Sequence, residues 1–250
     1  MLIVQSEREG FISCLPRSEV VCEIGVLSGE FSEKILNIVK PQTLHLIDPW
    51  KTMDTGNLNY DLSNQLPRDI FETYFNLVKE KFKQEISIGK VAIHREESHK
   101  VSKTFPERYF DWVLVDGNHS FKGVYQDLVD YYPLVKDDGF ILSHDYADGY
   151  MSKRLNWGTF QATNKFIKEY NCYPVLMNLE DEFPTIVIAK SNGPHVSSLI
   201  SNLISKFKIM MDIDTDLFFK NNYFIKVFMF DKPKYVYCLY KGKNNEEEDE

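Results

Sequence analysis

Short apolar runs alternate with amphipathic segments between residues 19 and 190. Five of these runs are rich in β-branched and aromatic residues, and each is followed by a helical pattern, which is typical of βα units in a parallel sheet. The predicted strands cover residues 19–24, 43–48, 91–94, 110–116 and 140–144. Sheets of this kind bind ligands beyond the carboxyl ends of their strands, so we expect the functional site at that edge.

Helical periodicity fills the segments between these runs. In residues 66–82 apolar residues recur at steps of three and four, which predicts a long amphipathic helix. Other helices are predicted over residues 29–39, 98–104, 121–134 and 159–170. Residues 173–179 and 183–190 are strand patterns around an acidic turn at 180–182, and they predict a hairpin. The expected fold class is α/β: a doubly wound, Rossmann-like, seven-stranded and mostly parallel sheet with this terminal antiparallel hairpin.

The pattern changes on both sides of residues 19–190, which we interpret as the main domain. Residues 1–18 are predicted to be an N-terminal helical extension. Residues 191–243 are interpreted as a small C-terminal α+β appendage, either a cap or the contact of a homodimer. Within it residues 195–211 look helical, and strands are predicted over residues 222–230 and 234–240.

Charge and composition argue against several classes of protein. The net charge is −8, and five of the acidic residues lie in residues 244–250, which we predict to be a disordered tail. The remaining chain is nearly neutral and has no basic stripe, so we expect no nucleic-acid partner. It also has no signal-peptide pattern and no run of about 18 apolar residues, so we expect a cytoplasmic protein without membrane contact.

Small and acidic residues follow the first two predicted strands. Gly25 and Gly29 allow a tight turn into the next helix, with backbone N–H groups facing a ligand. This spacing alone is equally consistent with a structural turn. Asp48 ends the second strand, where a carboxylate can accept hydrogen bonds from both hydroxyls of a ribose. Together the glycines and the acid indicate a nucleoside ligand.

Taken in order, the strand ends resemble the class I S-adenosylmethionine-dependent methyltransferases. The matching segments are VCEIGVLSGEFS at 21–32, LHLIDPW at 44–50, HREES at 94–98, FDWVLVDGNHSFKGVYQDL at 110–128 and DDGFILSHDY at 137–146. The last two segments are similar to those of the small-molecule and sugar O-methyltransferases, the macrocin and rhamnosyl type of family 24. The resemblance covers about residues 20–190.

The resemblance implies S-adenosylmethionine as cofactor and assigns residues to its parts. Glu23, Gly25 and Gly29 would contact the methionine part or its loop, and Asp48 would bind the ribose. Glu97 and Ser98 would contact the adenine, and Asp116 would also lie against the cofactor.

In related metal-dependent O-methyltransferases, acids after the fourth and fifth strands hold a divalent cation. Asp116, His144 and Asp145 occupy these positions here. Two carboxylates suit Mg²⁺, but His144 departs from the oxygen ligands of those relatives. The alternatives are a softer ion such as Mn²⁺ or Fe²⁺, a histidine that does not ligate, and a site without metal.

His119 lies three residues after Asp116 and is the candidate base that takes the proton of an acceptor hydroxyl. The alternative is a turn residue that fixes the loop. The loops at 51–67 and 146–158 contain Tyr, Trp, Asn and Asp, which suit a sugar or a polar aromatic acceptor. We therefore expect an O-methyltransferase of a sugar hydroxyl, on a glycan or a glycosylated metabolite. The alternatives are methylation of a catechol-like or other small molecule, and a non-catalytic cofactor-binding module attached through residues 191–250.

Overall fold

A computed structural model describes residues 1–51, 69–179, 183–207, 209–212, 223–229 and 235–241. The described strands are β1 (Leu2–Val4), β2 (Val20–Ile24), β3 (Thr43–Ile47), β4 (Val91–His94), β5 (Phe110–Val115), β6 (Val135–Ser143), β7 (Tyr173–Asn178), β8 (Ile186–Ala189), β9 (Ile209–Asp212), β10 (Tyr223–Met229) and β11 (Tyr235–Lys241). The described helices are α1 (Arg8–Ile12), α2 (Glu30–Ile38), α3 (Ile70–Lys81), α4 (Lys83–Ser87), α5 (Ser98–Val101), α6 (Phe121–Tyr131), α7 (Tyr150–Arg154), α8 (Thr159–Tyr170) and α9 (Pro194–Lys206). Predictions about most of the loop 51–67, the turn 180–182 and the tail 244–250 fall outside the described residues.

Within the described residues, the main sheet has nine strands in the order β4-β3-β2-β5-β6-β8-β7-β1-β9. Parallel pairs join β4 to β3, β3 to β2, β2 to β5 and β5 to β6. β8 is antiparallel to both β6 and β7. The predicted fold class and the predicted hairpin are thus confirmed. The carboxyl ends of β2 to β6 meet at one edge of the sheet.

Two short strands extend the sheet beyond β7. β1 pairs in parallel with β7, and β9 pairs antiparallel with β1. Residues 1–18, predicted as a helical extension, therefore contain a strand before α1. The helix predicted over 195–211 ends at Lys206, because the chain then joins the sheet edge as β9. The two strands predicted at 222–230 and 234–240 pair as a separate hairpin, β10 with β11.

Helices cover both faces of the sheet, so most side chains of the central strands are apolar, with the buried Glu23 of β2 and His45 of β3 as exceptions. In β5, Trp112 and Leu114 pack with the core that includes α2 and α9, while Val113 and Val115 pack with the core under α6 and α8. Successive side chains of a strand point to opposite faces, and here both faces are buried. Most polar side chains consequently lie at the strand ends. No helix in the described part of the chain is long and apolar enough to cross a membrane.

Candidate active site

The loop between β2 and α2 forms an open cradle that requires glycine. Gly25 has φ +89°, and a Cβ at this position would lie 2.1 Å from the backbone oxygen of Asp116. Gly29, with φ +73°, precedes the first residue of α2. Positive φ values of this size favour glycine, and the close approach of two backbones leaves no room for a side chain. Glycine is therefore required at Gly25 by the close packing of the loop against the backbone that follows β5.

Asp48, at the end of β3, holds this loop in place. Its Oδ2 accepts hydrogen bonds from the backbone N–H of Val26 (2.9 Å) and Leu27 (3.0 Å), and its Oδ1 accepts one from Trp50 N–H (2.7 Å). Oδ2 uses both of its lone pairs in these bonds, but Oδ1 keeps one, so the carboxylate can still accept a hydrogen bond from one hydroxyl of a ribose. The loop-fixing role was missed by sequence reasoning, because backbone donors have no signature in the sequence.

Glu23 lies at the base of the cradle and is 2% exposed. Ser32, in the first turns of α2, donates its hydroxyl hydrogen to Glu23 Oε2. Burial, reinforced by the neighbouring Asp116 carboxylate, raises the pKa of Glu23 to about 8. Glu23 is therefore mostly protonated at neutral pH, and a cationic group beside it would favour the carboxylate form, so the position suits a ligand ammonium.

Glu97 and Ser98, predicted near adenine, both have protein partners. The Glu97 carboxylate lies 2.5 Å from Lys51 Nζ, and this contact lowers the pKa of Glu97. Ser98 Oγ donates to Asp127 Oδ1 at 2.5 Å, and Tyr131 donates its hydroxyl hydrogen to the Ser98 carbonyl at 3.0 Å. Burial raises the pKa of Asp127 to about 7. The contact of Glu97 and Ser98 with adenine remains a prediction.

The three predicted metal ligands are brought together by neighbouring strands. Asp116 follows β5, His144 and Asp145 follow β6, and one donor atom from each lies within 4.8 Å of the others. Asp145 has φ +56°, a left-handed conformation that is uncommon outside glycine. His144 Nδ1 is hydrogen-bonded to Thr185 Oγ1 at 2.9 Å, and its Nε2 lies 3.2 Å from Asp145 Oδ1. A histidine held by one ring nitrogen and facing carboxylates with the other fits a divalent metal site.

His119 lies beside this cluster, as predicted, but in a charged environment. Its Nε2 is 2.9 Å from Asp145 Oδ2 and 3.5 Å from Asp116 Oδ1. Neither contact is aligned as a hydrogen bond, and among the described residues this buried nitrogen has no hydrogen-bond partner. Burial lowers the pKa of His119, but the two carboxylates outweigh that effect and raise it to about 10. The ring is therefore protonated at neutral pH. His119 can act as a base only when the negative charge of the Asp116 and Asp145 carboxylates is offset.

Arg8 is a site residue that sequence reasoning missed. Its Nη1 donates to Asp116 Oδ2 at 2.9 Å, and its guanidinium carbon lies 4.4 Å from the centre of the Phe31 ring. Burial raises the pKa of Asp116, but His144, His119 and Arg8 together lower it to about 2. Arg8 is 108 residues away from Asp116 and lies in the N-terminal segment, so no local pattern indicated this contact.

Aromatic side chains line the other side of His119. The Trp157 ring is tilted against the His119 ring with 4.5 Å between centroids, and the Phe183 ring lies 5.1 Å from Trp157. Gly158 N–H donates to the His119 carbonyl at 2.8 Å. The loop 146–158, predicted to overhang the site, is thus fixed against it.

A family model described as a methyltransferase domain, of methyltransferase family 24, matches residues 22–146, which is half of the chain. The chain belongs to this methyltransferase family. The match spans β2 to the residues after β6, so it includes the glycine loop and the Asp116, His144 and Asp145 cluster. It leaves out the segment that carries Arg8.

Several solved structures have a fold similar to that of this chain. An O-methyltransferase family protein from Burkholderia thailandensis aligns over 71% of this chain with a TM-score of 0.51 and 12% identity, and the chain spans only 52% of that protein. A spermidine synthase in complex with the transition state analogue AdoDATO aligns over 86% of this chain and 68% of the enzyme, with a TM-score of 0.51 and 13% identity. A protein from Corynebacterium glutamicum aligns over 78% of this chain and 85% of its own length, with a TM-score of 0.51 and 15% identity. No curated protein matches the sequence. At these identities the likeness shows the fold alone.

Membership of the family makes the protein an S-adenosylmethionine-dependent methyltransferase, which confirms the predicted enzyme class and cofactor. The loop fits the amino-acid part of this cofactor, because it is a tight turn of backbone beside Glu23, whose raised pKa suits an ammonium group. The roles of individual residues are proposals.

Proposed function

We propose that this methyltransferase transfers the methyl group of S-adenosylmethionine to a hydroxyl of a sugar, on a glycan or a glycosylated metabolite, with the help of a divalent metal. The observation that carries the proposal is the cluster of Asp116, His144 and Asp145 beside the glycine loop, with donor atoms within 4.8 Å of one another. Mn²⁺ and Mg²⁺ are the ions that two carboxylates and an imidazole suit.

The cofactor would lie along the strand ends in the order that they occupy in the sheet. Glu23 would receive the methionine ammonium, with Gly25 and Gly29 shaping the loop around it. Asp48 Oδ1 would accept a hydrogen bond from one ribose hydroxyl while the carboxylate keeps its bonds to the loop. Glu97 and Ser98, which follow β4, would border the adenine.

Alignment is the main requirement of this reaction, because methyl transfer from a sulfonium is an in-line displacement. A cation held by Asp116, His144 and Asp145 would supply positive charge that lowers the pKa of an acceptor hydroxyl. His119 lies 2.9 Å from Asp145, and once the charge of the carboxylates is offset, the cause of its raised pKa is removed. His119 can then accept the proton of the hydroxyl.

Trp157 and Phe183 favour a sugar as the acceptor. They are half-buried aromatic rings in contact with each other, and Trp157 also touches the His119 ring. A pyranose has an apolar face of C–H groups that packs on such rings, while its hydroxyls point to polar neighbours. A ring stacked on Trp157 would place a hydroxyl close to His119.

Metal binding is tested with Mn²⁺ and calorimetry on the metal-free protein. We expect one ion per chain, at least about a tenfold loss of affinity in Asp145→Asn, and no change in Asp148→Asn, a carboxylate of the same loop outside the cluster. Turnover is then measured with radiolabelled cofactor on glycosides and on catechols. Equal turnover before and after chelation would contradict a role of the metal in the reaction. Turnover restricted to catechols would contradict a sugar as the acceptor.

A further inference from the structure

The N-terminal segment holds Arg8 in a fixed position at the site. β1 pairs with β7 in the main sheet, and Phe11 and Ile12 of α1 are 0% and 1% exposed. Glu9 forms an ion pair with Lys34, which ties α1 to α2. The guanidinium is therefore placed by the core of the protein and not by a loose terminal arm.

The Arg8 guanidinium lies between Asp116, whose backbone packs against Gly25, and Phe31 at the start of α2. It contacts Asp116 at 2.9 Å, and its positive charge lowers the pKa of Glu23 against the effect of burial. It also lies over the ring of Phe31, in the first turn of α2. The N-terminus of a helix carries a partial positive charge and attracts anions. Arg8 and the start of α2 together make the end of the cradle near Phe31 suitable for a carboxylate.

We propose that Arg8 binds the α-carboxylate of the methionine part of S-adenosylmethionine. An amino-acid group carries one positive and one negative charge, and its binding site needs a partner for each. Glu23 suits the ammonium, and Arg8 stacks on Phe31, which precedes the Ser32 that donates a hydrogen bond to Glu23. The planar guanidinium can donate two parallel hydrogen bonds to a carboxylate. This inference rests on the cofactor site described above and adds a residue from outside the family match.

Two ligands that differ only in the carboxylate test this assignment by calorimetry. S-adenosylhomocysteine carries it, whereas S-adenosyl-3-thiopropylamine keeps the ammonium and lacks the carboxylate. We expect Arg8→Met to weaken S-adenosylhomocysteine binding by about 10- to 100-fold, the range for a charge-assisted hydrogen bond, and to change binding of the amine by less than about twofold. Arg8→Lys keeps the positive charge but cannot donate two parallel hydrogen bonds. Its affinity for S-adenosylhomocysteine should therefore lie between those of Arg8→Met and the wild type.

Lys81 provides the matched control. Its Nζ lies 3.5 Å from the Gly29 carbonyl and 3.7 Å from Glu33, so it is a second cation near the loop. Lys81→Met should bind both ligands like the wild type. Equal losses for both ligands in Arg8→Met would show that Arg8 only positions Asp116, and an unchanged affinity for S-adenosylhomocysteine would also overturn the assignment. A wild-type protein that binds neither ligand would refute the cofactor site itself, and the role of Arg8 with it.

Discussion

Replacing Asp48 by asparagine tests whether this residue supports the fold as well as the cofactor. The substitution keeps the shape of the side chain but replaces one of its two acceptor oxygens with an NH₂ donor. Three backbone N–H groups, those of Val26, Leu27 and Trp50, point at the carboxylate. In the better orientation the amide oxygen keeps the bonds to Val26 and Leu27, and the amide NH₂ then faces the N–H of Trp50.

The expected cost follows from these contacts. One hydrogen bond to a charged acceptor is lost and a partly buried donor is left without a partner, which together cost about 2 kcal/mol. Leu27 (φ +50°) and Trp50 (φ +43°) also have left-handed backbones, whose strain of roughly 1 kcal/mol each is held in place by the carboxylate. We therefore expect Asp48→Asn to lower the free energy of unfolding by about 2–3 kcal/mol, which an average domain tolerates.

Asp111 offers a matched control, because it lies near the amino end of β5, away from the carboxyl ends of the strands. Its Oδ2 accepts hydrogen bonds from the backbone N–H of Glu19 and Val20, both at 2.7 Å. Urea denaturation should show similar losses for Asp48→Asn and Asp111→Asn, while calorimetry with S-adenosylhomocysteine should show weaker binding only for Asp48→Asn. A stability of Asp48→Asn within about 0.5 kcal/mol of the wild type would refute the loop-fixing role. Equal cofactor affinity in the two variants would refute the contact with ribose.

Two further predictions concern backbone space and pH. Gly25→Ala should abolish cofactor binding in calorimetry, because its Cβ would lie 2.1 Å from the Asp116 oxygen; Gly89→Ala, also at positive φ but with no atom within 4 Å, should bind normally. Burial lowers the pKa of His45 from 6.5 to about 4, so the unfolded chain binds this proton more tightly. The free energy of unfolding should then fall by about 3 kcal/mol between pH 6.5 and pH 4, at 1.36 kcal/mol per pH unit. In urea titrations at several pH values, the free energy of unfolding of His45→Gln should lose this part of its dependence on pH. If the dependence is the same as in the wild type, His45 is not its source.

The central sheet and the location of the site were predictable because both depend on local patterns. A strand buried on both faces reads as a continuous apolar run, and the polar residues that end it mark the edge of the sheet. For Phe110–Val115 this pattern indicated both the strand and the emergence of Asp116 at its end. The rule that parallel strands share one edge then brought Asp116, His144 and Asp145 together, as the structure has them.

The remaining features depend on distant contacts. The short strands β1 and β9 lie outside the predicted βα units, and they are defined by pairing with a distant neighbour: β1 with β7, and β9 with β1. The environment of His119 was also missed: an isolated histidine has a pKa suited to a base, but two carboxylates supplied by β5 and β6 keep it protonated. Charge at a site follows from the three-dimensional neighbourhood, which spacing along the chain does not reveal.

The backbone itself couples the parts of the site. The ladder of the sheet continues past the strand ends, since Asp116 N–H donates to the Ile24 carbonyl at 2.9 Å and His144 N–H donates to the Val115 carbonyl at 3.1 Å. The glycine loop, the acid after β5 and the histidine after β6 are therefore parts of one hydrogen-bonded frame. An in-line transfer needs donor, methyl group and acceptor aligned to within a fraction of an ångström. Placing both the cofactor cradle and the proposed metal ligands on adjacent strands gives this alignment to the most rigid part of the fold, and leaves the choice of acceptor to loops such as 146–158.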